Sequence, residues 1–128
     1  MQGKNRLIID GTLPGLNELI NAERANKHAG AKLKKDAEMI VRHFIRNQLH
    51  GVKPKTPVFL DYCFYEPTRR RDKDNIAAFA HKVIQDSLVK ERILPNDGWA
   101  DVAGFMDSFE IDKKRPRIEV TILEGVAE

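Results

Sequence analysis

Residues 58–90 read VFLDYCFYEPTRRRDKDNIAAFAHKVIQDSLVK, and this stretch decides the fold. Its first part, Val58 to Tyr65, is largely apolar on both alternating sides, which predicts a strand well inside a sheet. Glu66-Pro67 ends that strand. Apolar side chains then recur at helical steps of three and four residues, at Ile76, Phe79, Ala80, Val83, Ile84 and Leu88. The stretch therefore predicts a central strand, a charged junction and an amphipathic helix that ends near Lys90.

The junction between that strand and that helix carries the charges that bear on function. Thr68-Arg-Arg-Arg-Asp-Lys-Asp-Asn75 places three arginines and a lysine beside Asp72 and Asp74. Carboxylate oxygens are hard ligands of the kind that Mg²⁺ prefers, and guanidinium groups match phosphate oxygens. The same residues also fit a charged turn in which one aspartate caps the helix, because charged runs are common on protein surfaces. Both interpretations are open at this point.

Residues on the N-terminal side of this unit predict a strand, a loop and a second helix. Arg6 to Asp10 predicts a first strand, and Gly11 to Asn17, with two glycines and a proline, predicts a loop. Residues 18–30 are polar and fit either a short helix or a mobile arm. From Ala31 to Leu49 the spacing predicts an amphipathic helix with a charged, solvated face. Its apolar face comprises Leu33, Ala37, Ile40, Val41, Phe44, Ile45 and Leu49, and its charged face Lys34, Lys35, Glu38, Arg42 and Arg46.

Strand material dominates the C-terminal part of the chain. Asn96-Asp97-Gly98 predicts a turn, and residues 99–111 predict strand material around a bulge at Gly104 or Asp107. Asp112 to Pro116 predicts a charged hairpin turn, and Arg117 to Glu124 alternates like a half-buried final strand. The order β-α-β-α-β-β predicts an α+β domain with two main helices packed on one mixed sheet. A length of 128 residues predicts a single domain over residues 1–128.

Composition narrows the class of protein. A formal net charge of +3 and a pI near 9.1 fit a polyanionic partner. The single cysteine, Cys63, excludes an intrachain disulfide, and its apolar neighbours predict a buried thiol in a reducing compartment. The four histidines lack the spacing of zinc motifs. With no signal-peptide pattern and no apolar run near ~18 residues, a cytoplasmic protein without a membrane span is predicted.

A metal site on the two junction aspartates needs a third acid from elsewhere in the chain. Asp97 is the natural candidate if its turn returns beside the junction, and Asp101 is the reserve, although Asn-Asp-Gly is also a common structural turn. Lys82 is rotated by roughly 80° and displaced by ~12 Å along the helix from Asp74, so the two would meet only on a bound DNA strand. Trp99 fits either a core residue of a strand or a ring that stacks on an unpaired base.

These motifs together resemble the RusA-type Holliday-junction resolvases. The resemblance rests on Arg69 to Asn75, Lys82 to Leu88 and Ile93 to Asp97, and it extends to the Pro- and Asn-containing loop Leu13–Asn17 and the final strand Ile118–Ile122. It implies a RusA-like fold. Two departures concern the site: in the best-known member the lysine lies about one helical turn after the second aspartate, where this chain has Ala78, and Asn96 replaces the first acid of an acidic pair.

The resemblance implies specific roles for residues. It makes Asp72, Asp74 and Asp97 metal-binding catalytic carboxylates, and Lys82 a catalytic or DNA-contacting lysine. The residues that it predicts to bind DNA are Arg69, Arg70, Arg71, Lys73, Asn75 and Asn17.

The resemblance also implies an activity: a small homodimeric endonuclease that depends on Mg²⁺, with Mn²⁺ as a substitute, and uses no small-molecule cofactor. Such an enzyme makes paired, symmetrical cuts in a four-way DNA junction during recombination and repair, and its relatives occur in bacteria and their prophages. Two alternatives remain open at this stage. One is a nucleic-acid-binding module without catalytic activity, and the other is a nuclease that acts on other branched DNA.

Overall fold

Residues 4–125, the part of the chain that this computed structural model describes, form one four-stranded mixed sheet and three helices. The elements in chain order are β1 (Lys4–Asp10), α1 (Leu16–Ala25), α2 (Lys27–Gln48), β2 (Val58–Glu66), α3 (Lys73–Lys90), β3 (Val102–Ile111) and β4 (Arg117–Leu123). The sheet order is β1-β4-β2-β3, and only β2 and β3 are parallel. The predicted α+β class is confirmed, and α1 adds a helix to the two main ones.

The core lies between β2, β4 and the apolar face of α3. Val58, Leu60, Tyr62 and Phe64 are buried on the side of β2 that faces the helices, and Ile118, Val120 and Ile122 of β4 continue this layer. All six apolar residues predicted for the α3 face are buried. A buried large aliphatic or aromatic side chain contributes about 1.5–3 kcal/mol, so this contact anchors α3 firmly on the sheet. The N-terminal end of α3 is thereby fixed relative to the end of β2.

The segment 18–30, for which the sequence allowed two interpretations, is helical. Helix α1 ends at Ala25, and Asn26 caps α2 through its side-chain oxygen, which accepts from the Ala29 N–H at 2.7 Å. Because Asn26 can act as an N-cap, α2 begins at Lys27, four residues before the predicted start at Ala31.

The predicted faces of α2 need two corrections. Ile40, assigned to the apolar face, is 49% exposed, whereas Glu38, assigned to the solvated face, is buried and pairs with Lys90 of α3. The reason is that α2 contacts α3 through the side of α2 that carries Lys34 and Glu38. Lys34 pairs with Asp86 of α3 at 3.4 Å on this side, in line with Glu38. Residues that looked like a solvated charged face therefore form the contact between two helices.

Strand β3 lies at an edge of the sheet, beyond β2. The pairing shifts by one residue where Val58 pairs with Val102 and Phe59 with Gly104, so a bulge lies beside Gly104, one of the two predicted positions. The predicted hairpin at 112–116 is wrong. Because β2 lies between β3 and β4, the segment crosses the end of β2, where the Asp112 N–H donates to the Glu66 carbonyl at 2.8 Å.

The side of the sheet that faces away from the helices is partly open. Cys63, predicted to be buried, is only partly buried, because odd-numbered residues of β2 point to this side. Arg117 of β4 lies over the Tyr65 ring at 3.7 Å on the same side and donates to Glu119 at 2.7 Å. Over residues 4–125, no helix combines the length and the apolarity that crossing a membrane requires.

Candidate active site

A cleft of about 930 Å³ opens where β2 ends and α3 begins. One wall consists of the junction between Glu66 and Ile76, and the other of the end of β3 at Phe109, Glu110 and Ile111. The parallel pair β2 and β3 both run toward this cleft, and the N-terminus of α3 opens onto it. Ligands of α/β units commonly bind at such a place, beyond the carboxyl ends of parallel strands and beside a helix N-terminus.

The carboxylates of Asp72 and Asp74 both line this cleft and are exposed. Asp72 occupies the N-cap position of α3 with an extended backbone (φ −70°, ψ 153°), yet its side chain makes no capping hydrogen bond. Within residues 4–125, neither carboxylate forms an ion pair or a hydrogen bond. If the Asp72 side chain capped α3, it would accept a hydrogen bond from a backbone N–H of the first turn, and that hydrogen bond is absent. Two acidic groups are therefore exposed to the cleft without a partner in the described chain.

The cations of the junction differ in what they contact. Arg69 and Arg70 are exposed, and the Lys73 ammonium lies 5.8 Å from the centre of the Phe109 ring. Arg71 is engaged inside the protein: it donates to both carboxylate oxygens of Glu66, at 3.0 and 2.9 Å, and to the Leu13 carbonyl at 2.9 Å. Arg71 thus holds the loop before α1 against the end of β2, a contact that its predicted role in DNA binding did not include.

Glu66 is a residue of the cleft whose role the sequence interpretation missed. Its side chain is only 7% exposed, and it is the partner that keeps Arg71 in place. A buried carboxylate needs a paired cation, because burial removes its hydration. The signal for this was present in the sequence, since Glu66 continues the even-numbered side of β2 that is buried at Tyr62 and Phe64.

The two asparagines predicted to contact DNA lie against each other. Asn75 accepts the Asn17 N–H on its side-chain oxygen at 2.8 Å, which satisfies a free donor in the first turn of α1. The contact is close: a Cβ atom on Gly15 would lie 2.6 Å from the same oxygen, so a larger residue there would displace the Asn75 side chain. Asn75 therefore positions α1 beside the cleft, and contact with DNA remains a prediction for both asparagines.

The other predicted acids, Asp97 and Asp101, lie at the opposite end of α3. With 18 residues at 1.5 Å each, α3 separates its two ends by about 27 Å. Asp97 lies in the turn after the helix, where its N–H donates to the Asn96 side chain at 2.8 Å, and the Asp101 carbonyl accepts the Val58 N–H at 2.8 Å. In the described part of a single chain, no three His, Cys, Asp or Glu residues lie close enough together to hold a metal ion.

Lys82 also lies outside the lining of the cleft. Its side chain is 63% exposed and pairs with Asp86 one turn further along α3, at 3.3 Å. This position fits the prediction that Lys82 and Asp74 do not contact each other directly and would meet only on a bound DNA strand. Its catalytic role stays a prediction.

The sequence analysis did not predict a His–Asp pair that the structure shows between α3 and β3. His81 Nε2 lies 2.7 Å from Asp107 Oδ1, and the His81 ring lies 4.7 Å from the ring of Tyr62 and 4.6 Å from that of Phe105. Burial raises the pKa of the Tyr62 phenol, whose oxygen accepts a hydrogen bond from Gln85 at 3.1 Å. These polar groups join α3 to the edge strand. Since 26 residues separate the histidine from the aspartate, no local pattern marks the pair.

Comparison with known proteins places this geometry in a family. A family model described as "Endodeoxyribonuclease RusA" matches residues 17–123, which include both walls of the cleft and the turn that carries Asp97. No curated protein matches the chain significantly. The match covers well over half of the 128 residues and agrees with the α+β architecture. The chain belongs to the RusA endodeoxyribonuclease family, as the resemblance of its charged junction predicts.

Proposed function

We propose that this protein is a Mg²⁺-dependent endonuclease that resolves four-way DNA junctions by paired, symmetrical phosphodiester cleavage. The observation that carries the proposal is the pair of carboxylates at Asp72 and Asp74, which have no partner in the described chain although cations surround them. A purely structural charge cluster would pair its opposite charges. We further propose that residues 1–128 form one endonuclease domain that works in the bacterial cytoplasm and is encoded by a bacterium or its prophage.

The donor set of the cleft fits a magnesium ion. Mg²⁺ is usually bound by one or two carboxylates together with waters and substrate phosphates, and Mn²⁺ accepts the same oxygen ligands. Asp72 and Asp74 supply such carboxylates, exposed and without internal partners. When bound, the cation supplies Lewis acidity and neutralises charge at the cleaved phosphate.

The cations of the junction bind the DNA backbone in this proposal. Arg69, which lines the cleft, and its exposed neighbour Arg70 contact phosphates near the cut, and Lys73 does so from the first turn of α3. Arg71 has a different task, because its guanidinium is bound to Glu66 and Leu13. It keeps the wall of the cleft in place.

Asp97, the third carboxylate predicted for the site, would reach the cleft only from a second copy of the chain. Asp97 lies past the far end of α3, a helix about 27 Å long, so it cannot join the aspartates of its own chain. Edge strand β3 offers a surface for the second copy. It is ten residues long, pairs on one side only, and exposes Phe105, Met106 and Ile111 by about half. An exposed apolar edge of this length is a template for pairing with another strand.

Antiparallel pairing of two β3 strands would bring the separated acids together. One end of β3 follows the turn that carries Asp97, and the other end lines the cleft at Glu110 and Ile111. A two-fold axis through the middle of the strand places the partner's Asp97 beside this chain's Asp72 and Asp74, and the reverse. The resulting homodimer has two equivalent sites, which suits two like strands of a four-way junction.

Substitution of Asp74 by Asn tests the proposal. The variant keeps junction binding, because the arginines remain, and it loses more than the roughly 100-fold in cleavage rate that loss of an outer-shell metal partner costs. The assay is Mg²⁺-dependent cutting of a synthetic four-way junction, with junction binding measured in parallel. Asp36→Asn is the matched control, because it removes the same charge from an exposed ion pair on α2. Cleavage by Asp74→Asn at the wild-type rate would contradict the site.

The same assay separates the two alternative functions. Wild-type protein is incubated with four-way, flap, duplex and single-stranded DNA, each with and without Mg²⁺. Binding of branched DNA without cutting under any condition identifies a non-catalytic module. Faster cutting of flaps than of four-way junctions identifies a nuclease with another branched substrate.

A further inference from the structure

The segment 92–101, called the Trp99 turn from here on, connects α3 to β3 and presents one indole ring to solvent. Trp99 is 94% exposed, more than any other large apolar side chain in residues 4–125. The sequence allowed a core residue or a ring that stacks on a base, and this exposure excludes the core. An indole is usually buried at least in part, because it carries a large apolar area. A ring left fully in water is therefore available to a partner.

The backbone that carries this ring is held in place. The N–H groups of Asp101 and Val102 both donate to the Gly98 carbonyl, at 3.1 and 3.0 Å. The Asp101 carbonyl accepts the Val58 N–H at 2.8 Å, which ties the turn to the start of β2. Trp99 thus projects from a fixed turn. A pre-organised ring loses less conformational entropy on binding than one on a loose loop.

Two cations, Arg92 of this segment and its neighbour Lys53, line a cleft next to it. This second cleft, of about 320 Å³, is lined by Lys53, Arg92, Pro95 and apolar side chains. Arg92 has a left-handed backbone (φ 60°), its carbonyl accepts from the Lys53 ammonium, and its exposed side chain forms no ion pair in the described range. The segment thus carries both elements that bind single-stranded nucleic acid, an exposed aromatic ring and a groove with cations.

We propose that the Trp99 turn binds a nucleotide left unstacked at the branch point of the DNA substrate, with Trp99 stacked on the base and Arg92 and Lys53 at nearby phosphates. The inference rests on the proposed junction nuclease. Trp99 lies two residues from Asp97, at most about 7 Å along the chain, so it reaches the strand on which Asp97 acts. A branch point offers unstacked bases that a linear duplex lacks. Because every base has a stacking face, this contact selects branched structure without selecting sequence.

DNA is a better match for this surface than a second protein chain. The buried centre of a protein interface is depleted in lysine, whereas Lys53 lines the cleft next to this turn. Phosphates require such cations. Burial of Trp99 against a second copy of the chain is the competing outcome of the test below.

The fluorescence of Trp99 tests the inference directly, because this is the only tryptophan of the chain. Full-length protein without divalent cations is titrated with a four-way junction and with a linear duplex of the same arm sequences. We expect a red-shifted emission in the free protein, strong quenching by the junction and little change with the duplex. Equal quenching by both DNAs overturns the inference. A blue-shifted emission in the free protein also overturns it, because the ring is then covered by protein.

Variants separate stacking from apolar contact. Trp99→Phe keeps a stacking ring, and Trp99→Leu keeps an apolar side chain without one. We expect Trp99→Leu to bind the junction about tenfold more weakly than Trp99→Phe, as the loss of one stacked base implies. Met39→Leu, at an exposed apolar side chain on α2, is the control and leaves junction affinity unchanged. Equal affinities for the two Trp99 variants overturn the inference.

A pair of substitutions tests the cations, and the outcomes separate this inference from the proposed function. The double variant Lys53→Gln, Arg92→Gln lowers the slope of log affinity for the junction against log salt concentration by about two in magnitude, one for each phosphate that is no longer neutralised. An unchanged slope contradicts the phosphate site. If the wild type never cuts a junction but the junction quenches Trp99, the nuclease proposal fails and the binding site stands. If the wild type cuts and Trp99→Leu matches Trp99→Phe, only the binding site fails.

Discussion

The two ends of α3 both carry clusters of charge, but they are built differently. At the C-terminal end, Glu91 and Lys90 both have partners: Glu91 accepts from Arg42 at 2.6 Å and from Arg46 at 2.9 Å, and Lys90 pairs with Glu38. At the N-terminal end, Asp72 and Asp74 face the cleft without a partner in residues 4–125. The paired cluster joins α2 to α3, and the unpaired cluster is available to a ligand.

Solvent exposure explains why both arrangements are stable. The Glu91 side chain is only 12% exposed, and a charge that has lost its water needs ion-pair partners. The Arg46 hydrogen bond, aided by that of Arg42, lowers the pKa of Glu91 and keeps it ionised. Asp72 and Asp74 are exposed, so water solvates them and no internal partner is required. Charge clusters that look alike in sequence therefore differ in burial, and burial decides which of them holds the fold.

The largest expected effect comes from the unpaired end. Asp72→Asn together with Asp74→Asn lowers cleavage of a four-way junction by more than about 100-fold, since both proposed metal ligands lose their charge. The free energy of unfolding changes by less than about 0.5 kcal/mol, as for other surface substitutions, because the two side chains bond to nothing else within residues 4–125. Cleavage kinetics and urea unfolding measure the two quantities. A large loss of stability would show that these carboxylates support the fold after all.

A smaller effect, on stability, is expected at the wall beneath the same cleft. Glu66→Gln lowers the free energy of unfolding by about 3 kcal/mol, the lower end of the range for breaking a buried ion pair, because Arg71 keeps some contact with solvent. Glu110→Gln, at an exposed residue that lines the same cleft, is the control. Equal unfolding free energies for the two variants would contradict the structural role of Glu66.

The smallest expected effect lies at the paired end of α3. Glu91→Gln removes the acceptor charge shared by Arg42 and Arg46 and lowers the free energy of unfolding by about 1–3 kcal/mol, without changing cleavage per folded molecule. Lys32→Gln is the control, because the exposed pair with Asp36 contributes no more than about 0.5 kcal/mol. A loss of cleavage at unchanged stability would reverse the roles assigned to the two ends.

The difference in unfolding free energy between wild type and Glu91→Gln also depends on pH, which gives a second test of this ion pair. Since the pKa of Glu91 is lowered on folding, the stabilisation is complete above the ordinary value of 4.5 and is lost as the pH falls through the lowered pKa. The gap in unfolding free energy between wild type and Glu91→Gln is therefore full at neutral pH and narrows below 4.5. A gap that stays constant down to about pH 3 would show that the charge of Glu91 contributes nothing.

Local patterns were enough to predict the strand and helix on either side of the cleft. Alternation over Val58–Tyr65 and helical spacing over Ile76–Leu88 both depend on neighbours close in the chain, and both were confirmed. The segment 112–116 shows where such patterns fail. Its turn residues are the same whether the two strands pair or enclose a third, so the insertion of β2 between β3 and β4 left no local sign.

The sequence by itself determined the fold class, the family and the position of the charged junction between a buried strand and a helix. Tertiary structure decided which charges of that junction are available. Arg69, Arg70 and Arg71 are identical in type and adjacent, yet only Arg71 meets Glu66 and Leu13, because the fold brings the end of β2 and the loop before α1 to that side chain. Tertiary structure also placed Asp97 past the end of α3 that is opposite to Asp72 and Asp74, and this helix is about 27 Å long. That separation is why the proposed site requires a second chain.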